Sequence, residues 1–82
     1  MDNKQKSYQI IANVLKIDFS SVNDQISPEN TASWDSFNAL MLISEFERAF
    51  NLSFSTEEVV AVRNVGDIIR VLKNYGVEFD GE

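Results

Sequence analysis

Apolar residues return at three- and four-residue steps in several separate stretches of the chain, the spacing of a helix with one buried face. Tyr8, Ile11, Val14 and Leu15 make the first stripe, and Asp2 or Asn3 stands ahead of it to cap a helix ending near Lys16 or Ile17. From Asp18 to Ser33 the pattern dissolves into Ser, Asn, Asp, Thr and the only proline, with Val22 and Ile26 as isolated apolar anchors. This predicts a long ordered loop, in which Ser27-Pro28-Glu29 could start one short helical turn. The strongest stripe follows: Ala39, Leu42, Ile43, Phe46 and Phe50 lie on one helical face behind Asp35 as N-cap, and Asn51 can end the element. Its opposite face carries Asn38, Met41, Glu45 and Arg48.

After Leu52 and Phe54, Ser55 and Glu58 have the spacing of a capping box and predict a short third helix through about Val62. Asn64 can cap a fourth, with Asp67 in its first turn, Val65, Ile68, Ile69 and Leu72 inward, Lys73 in its last turn and Gly76 as its stop. No strand-like alternation occurs. The expectation is an all-α fold: a small antiparallel bundle of three longer helices and one short one, with the long loop between the first two. At 82 residues the chain is one domain over 1–82. The ordered core is expected at about 3–76, with a flexible tail at 77–82.

Composition narrows the chemistry. The chain has no cysteine and no histidine, which removes disulfides, thiolate nucleophiles, the commonest metal ligand and the commonest general base. The remaining carboxylates lack the spacing and central glycine of a calcium loop. No metal site and no catalytic residue are therefore expected. The formal charge is -6, which argues against a nucleic-acid backbone or an anionic membrane and favours partners with basic surfaces. Charge is also uneven: Asp18, Asp24, Glu29, Asp35, Glu45 and Glu47 lie between Lys16 and Arg48 with no base among them. The N-terminus lacks an apolar signal core and no run reaches membrane-spanning length, so a cytoplasmic monomer is expected.

That leaves Ser36, in the stretch SWDSFNALMLI. A serine nucleophile needs a base to take its proton, and no histidine or neighbouring lysine is present. Asp35 or Ser36 can simply cap the second helix. Yet an exposed hydroxyl at a helix N-terminus, beside an acidic loop and ahead of an apolar turn, is also well placed to be modified by another enzyme.

Asp35-Ser36-Phe37 resembles the Asp-Ser-Leu motif of the acyl carrier proteins. The resemblance continues without a gap through FNALMLISEFERAFNLSFSTEEVVAVRNVGDII and covers roughly residues 5 to 75. It implies a carrier without catalysis of its own. Ser36 would hold 4'-phosphopantetheine, delivered from coenzyme A by a phosphopantetheinyl transferase, as a phosphodiester. The arm's thiol would carry acyl groups as thioesters between acyl-loading and acyl-accepting biosynthetic enzymes. Asp35 carries over as the acid that helps the transferase bind Mg²⁺ and coenzyme A. Phe37 takes the position of the motif's leucine, an apolar partner contact near the arm, and Trp34, Asn38, Met41, Glu45 and Arg48 are the other expected partner-binding residues.

Some positions depart from the fatty-acid carriers. Ser33 stands where the family has glycine, and Asn38, Met41 and Arg48 dilute the acidic docking face. Partner choice depends on charge complementarity, so the departures point to a specialised lipid, polyketide or other biosynthetic pathway. Phe46, Phe50 and Phe54 read as ordinary core rings that also crowd the interior where the family can shelter an acyl chain, favouring short or polar cargo. The alternatives are an aminoacyl or peptidyl carrier loaded by an adenylating ligase, and a helical adaptor that binds through Leu40, Met41 and their neighbours and is never modified.

Overall fold

The computed structural model describes residues 2–79. It contains four α-helices, α1 (Asn3–Leu15), α2 (Ser36–Phe50), α3 (Thr56–Ala61) and α4 (Val65–Asn74), and no strand among the described residues.

Each helix starts where a short polar side chain can accept a bond from an otherwise orphaned N–H group. Asp2, Asp35, Ser55 and Asn64 accept from the amides of Gln5, Asn38, Glu58 and Asp67 respectively. At α3 the box is complete, because Glu58 also accepts from the Ser55 amide at 2.8 Å. The two long helices end alike. Lys16 (φ 58°) and Asn51 (φ 55°) are left-handed, and the following amides, of Ile17 and Leu52, reach back to the carbonyls of Ala12 and Glu47. Lysine has no side-chain compensation there, so its conformation costs about 1–2 kcal/mol.

The buried stripes converge on one core. Ile11 and Leu15 of α1, Leu42 and Phe46 of α2, and Val65, Ile68 and Leu72 of α4 are all almost wholly buried. Helices α1 and α2 run antiparallel: at one end Lys6 donates to the Ala49 carbonyl at 3.0 Å, and at the other Lys16 borders the same groove as Phe37. Lys6 also lies 4.8 Å from the Phe50 ring centroid, placing a cation at the electronegative end of α2. Phe46 stacks on Phe50 with centroids 6.2 Å apart.

Two expectations about irregular segments change. The anticipated helical turn at Ser27-Pro28-Glu29 is instead an Asn-closed turn. The Asn30 side chain accepts from the Ser27 amide at 2.9 Å and donates to the Gln25 carbonyl at 2.9 Å, satisfying the backbone without helix. A single 3-10 turn forms earlier, at Phe19–Ser21. The tail expected to be flexible packs down as far as it is described. Phe79 is buried, Lys73 lies over its ring, and the Asn3 side chain donates to the Glu78 carbonyl at 2.7 Å; residues 80–82 lie outside the described residues. An aromatic ring with an open apolar edge nearby gains more from burial than a free tail gains from disorder.

The long loop is fastened to α4. The amides of Val65 and Gly66 donate to the carbonyls of Ile26 (3.0 Å) and Asp24 (2.9 Å), so loop backbone satisfies part of the helix N-terminus. Gly66 allows the approach: a Cβ there would lie 3.3 Å from the Asp24 carbonyl oxygen and 3.2 Å from Asn64 Oδ1. From the other side the Tyr8 hydroxyl donates to Asp24 at 2.7 Å.

Candidate functional site

The fastened loop delivers Ser33, Trp34 and Asp35 to the start of α2. The Ser33 carbonyl accepts from the Asp35 amide (3.0 Å) and from the Asn38 side chain (2.8 Å). Asp35 Oδ1 accepts from the Asn38 amide at 2.9 Å. One carboxylate oxygen of Asp35 is thus used as a cap, and the other faces outward with no protein partner among the described residues.

Ser36 is the first residue of α2 and is exposed. Its hydroxyl makes no side-chain hydrogen bond among the described residues. Capping falls to Asp35 alone, so the Ser36 oxygen is free for other chemistry. The first-turn amides and the helix dipole make this end of α2 electropositive, a suitable seat for a phosphate ester.

Trp34, expected on the partner face, is instead only 5% exposed. Its amide bonds the Thr31 carbonyl at 3.0 Å, and in that turn the indole goes inward beside Leu42, Ile43, Val59, Val62 and Ile68, bordering a hollow of about 60 Å³. A ring of that area gains most when covered, and it serves as the footing under Asp35 and Ser36. The other expected partner residues do stand at the surface. Phe37 is 69% exposed, Met41 is partly exposed, and Asn38 is half-buried through its bond to Ser33.

Charge on α2 is more muted than its acids suggest. Glu45 is paired with Arg48 one turn on, and Glu47 accepts from the Phe54 amide at 2.8 Å, fixing the chain as it leaves the helix. Both carboxylates of α2 are therefore engaged. Leu40 and Val60 extend the apolar surface, at 64% and 73% exposure. Val60 was not anticipated from the sequence. The signal was the adjacent pair Val59-Val60: on a helix only one of two neighbours can face inward.

Residues 8–72 match the family of the phosphopantetheine attachment site, and an acyl carrier protein of Chlamydia caviae is 34% identical over 64 residues, covering 78% of this chain and 83% of that protein. The chain belongs to the acyl carrier protein family. The acyl carrier protein of Syntrophus aciditrophicus is 29% identical over 80 residues, 98% of this chain and all of that one. That of Porphyromonas gingivalis is 27% identical over 66 residues, 80% and 85%. A Mycobacterium tuberculosis structure provisionally assigned as an acyl carrier protein shares the fold, with TM-score 0.75 at 19% identity over 87% of this chain and 96% of that one. The carrier's prosthetic group is accordingly 4'-phosphopantetheine, covalently attached, and its partners are a phosphopantetheinyl transferase and biosynthetic enzymes. The residues at the start of α2 fit that group: an uncommitted exposed hydroxyl, an electropositive helix end and an adjacent carboxylate. The adaptor reading loses its basis in a family defined by attachment, and the relatives named are acyl rather than aminoacyl carriers.

Proposed function

We propose that Ser36 is the attachment residue and that the chain is a carrier with no catalysis of its own, serving a specialised biosynthetic pathway as a cytoplasmic monomer. The observation that carries the assignment is the exposed Ser36 hydroxyl in the first turn of α2, relieved of capping by Asp35. Its oxygen attacks the phosphorus of coenzyme A that bears the pantetheine, the pyrophosphate bond breaks with adenosine 3',5'-bisphosphate leaving, and the serine proton passes to a base of the transferase, since this chain holds no histidine. Asp35, with one oxygen committed to the helix, has the other to offer the Mg²⁺ that accompanies coenzyme A.

Phe37, Asn38, Met41, Glu45 and Arg48 form the docking face, which is apolar at the Ser36 end and charge-balanced one turn beyond. Basic partner surfaces then meet mainly Asp18, Glu29 and Asp35, which are exposed. Such a face selects partners by apolar fit more than by steering. No helix among the described residues is long and apolar enough to cross a membrane.

Incubation with coenzyme A, Mg²⁺ and a broad-specificity transferase, followed by mass measurement, tests the assignment. One added arm is expected on the wild type and none on Ser36→Ala, whose circular dichroism should be unchanged because Asp35 continues to cap α2. An arm on Ser36→Ala, or on any other serine of the wild type, overturns it.

A further inference from the structure

Helices α1 and α2 lie side by side with an open seam between them. Its walls are apolar: Ile10 and Val14 of α1 are half-buried and pack on the core, and Phe37 and Met41 of α2 face them across a groove of about 440 Å³. Past Ile10 and Glu45 the groove runs on into a second hollow of about 210 Å³ beside Lys6 and Arg48. Charge along this seam goes against the trend of the chain. Three of the seven lysines and arginines, Lys6, Lys16 and Arg48, line the two hollows, but of the thirteen acids only Glu45 does so among the described residues. Glu45 is already paired with Arg48. Lys16 is exposed, and the Lys6 ammonium bonds a carbonyl, not a carboxylate. The result is a positive stripe with an apolar floor on a chain of formal charge -6.

Resting on the reading of α2 as docking face, we infer that this seam takes an amphipathic helix of a partner protein with an acidic flank, opposite in charge to the partners that meet Asp18, Glu29 and Asp35. Both features of the occupant follow from the seam. Two adjacent helices with an apolar groove between them accept a third laid along it, its side chains at i, i+3, i+4 and i+7 entering between Ile10, Val14, Phe37 and Met41. Lys6 and Lys16 are ten residues apart in sequence, about 15 Å along α1 at 1.5 Å per residue. Cations so spaced match acids about three turns apart on a helix, whereas a single anionic group reaches only one of them. Opposite charges around an apolar contact then set partner choice and register. Because the groove starts at Phe37, directly after Ser36, a helix seated there holds its protein beside the arm. The α3 side of α2, with Leu40 and Val60 exposed, is left uncovered.

The test is a synthetic helical peptide of about five turns, with leucines at i, i+3, i+4 and i+7 and two glutamates about three turns apart on its flank. Its control has lysine at those two positions. Each is titrated into the full chain, unmodified and loaded in turn, while amide and methyl spectra are recorded. Shifts at Ile10, Val14, Phe37 and Met41 are expected, with the glutamate peptide bound roughly tenfold more tightly than the lysine peptide. Lys16→Glu, or Lys16→Gln should the reversal disturb circular dichroism, should lower that preference. Equal or inverted preference on the wild type, a preference that neither variant lowers, absence of shifts, or shifts at Leu40 and Val60 in place of Ile10 and Val14 each overturn the inference. The docking face is tested apart from the peptides: Phe37→Ala should slow arm transfer by the transferase, and an unchanged rate would remove that reading as well.

Discussion

Helices α3 and α4 are neighbours in sequence and opposites in construction. α4 has ten residues and buries Val65, Ile68, Ile69 and Leu72, so it is held by packing. α3 has six residues and buries none fully. Val59 and the flanking Val62 pack only partly against the core, and the ends supply the rest: the complete box of Ser55 and Glu58, and a bond from the Tyr75 hydroxyl to Glu58 at 2.8 Å that ties α3 to the end of α4. A helix this short is far below the length that is stable alone in water. Its position beside Trp34 therefore rests on the partly buried Val59 and on a few polar contacts that water can replace, whereas the footing of Ser36 rests on full burial.

The contrast can be broken from either side. The largest effect is expected at α4: Ile68→Ala removes a side chain with no exposed surface and should cost about 2–5 kcal/mol, read as a lower denaturant midpoint for the whole chain. A loss confined to the amides of α4 would show that the core is not a single cooperative unit. Next comes Ser55→Ala, expected to cost about 0.5–2 kcal/mol as a lost cap. Hydrogen exchange should accelerate at Thr56–Ala61 well before Val65–Asn74; equal acceleration would mean that α3 and α4 open together.

The smallest effect is a dependence on pH. Backbone bonding from Ser55 chiefly, and the Tyr75 hydroxyl, hold Glu58 below its ordinary value near 4.5. Burial pushes Asp67 up, but bonds from the Arg63 amide, the Arg70 guanidinium and the Asn64 amide outweigh it, leaving Asp67 below 3.8. Both carboxylates are thus depressed in the folded chain. Their contribution is complete above the unfolded values and is lost as the pH falls through the folded ones. Urea midpoints measured from neutrality down to about pH 3 should fall, and Glu58→Gln, which keeps the reach of the box without titrating, should flatten part of that fall. An unchanged slope would separate the box from the acid sensitivity.

The parts legible in the sequence were those fixed within a few residues. The caps at Asp35, Ser55 and Asn64 could be read because capping joins a side chain to an amide three positions on, and the stripes because a helix repeats every 3.6 residues. Ser36, the proposed attachment residue, stood out for the same reason, lying inside a short motif at a capped helix start. Trp34 was misread because a turn can aim its side chain either way, and only the hollow near Val59 and Ile68 decides. The docking of Phe79, the bonds of Asp24 and Ile26 to α4, and the groove between Ile10 and Phe37 all join residues far apart in the chain. Local pattern carries no information about such pairs. Glu47 shows the same limit: its charge was visible, but its engagement by the Phe54 amide was not.

Trp34 is the chain's only tryptophan, and it sits inside the fold two positions before the hydroxyl proposed to receive the arm. The molecule consequently carries an intrinsic optical gauge beneath the start of α2. The colour of indole emission reports how dry that foundation is, so arm transfer, acyl loading and enzyme capture can each be followed by ultraviolet light on the unlabelled protein.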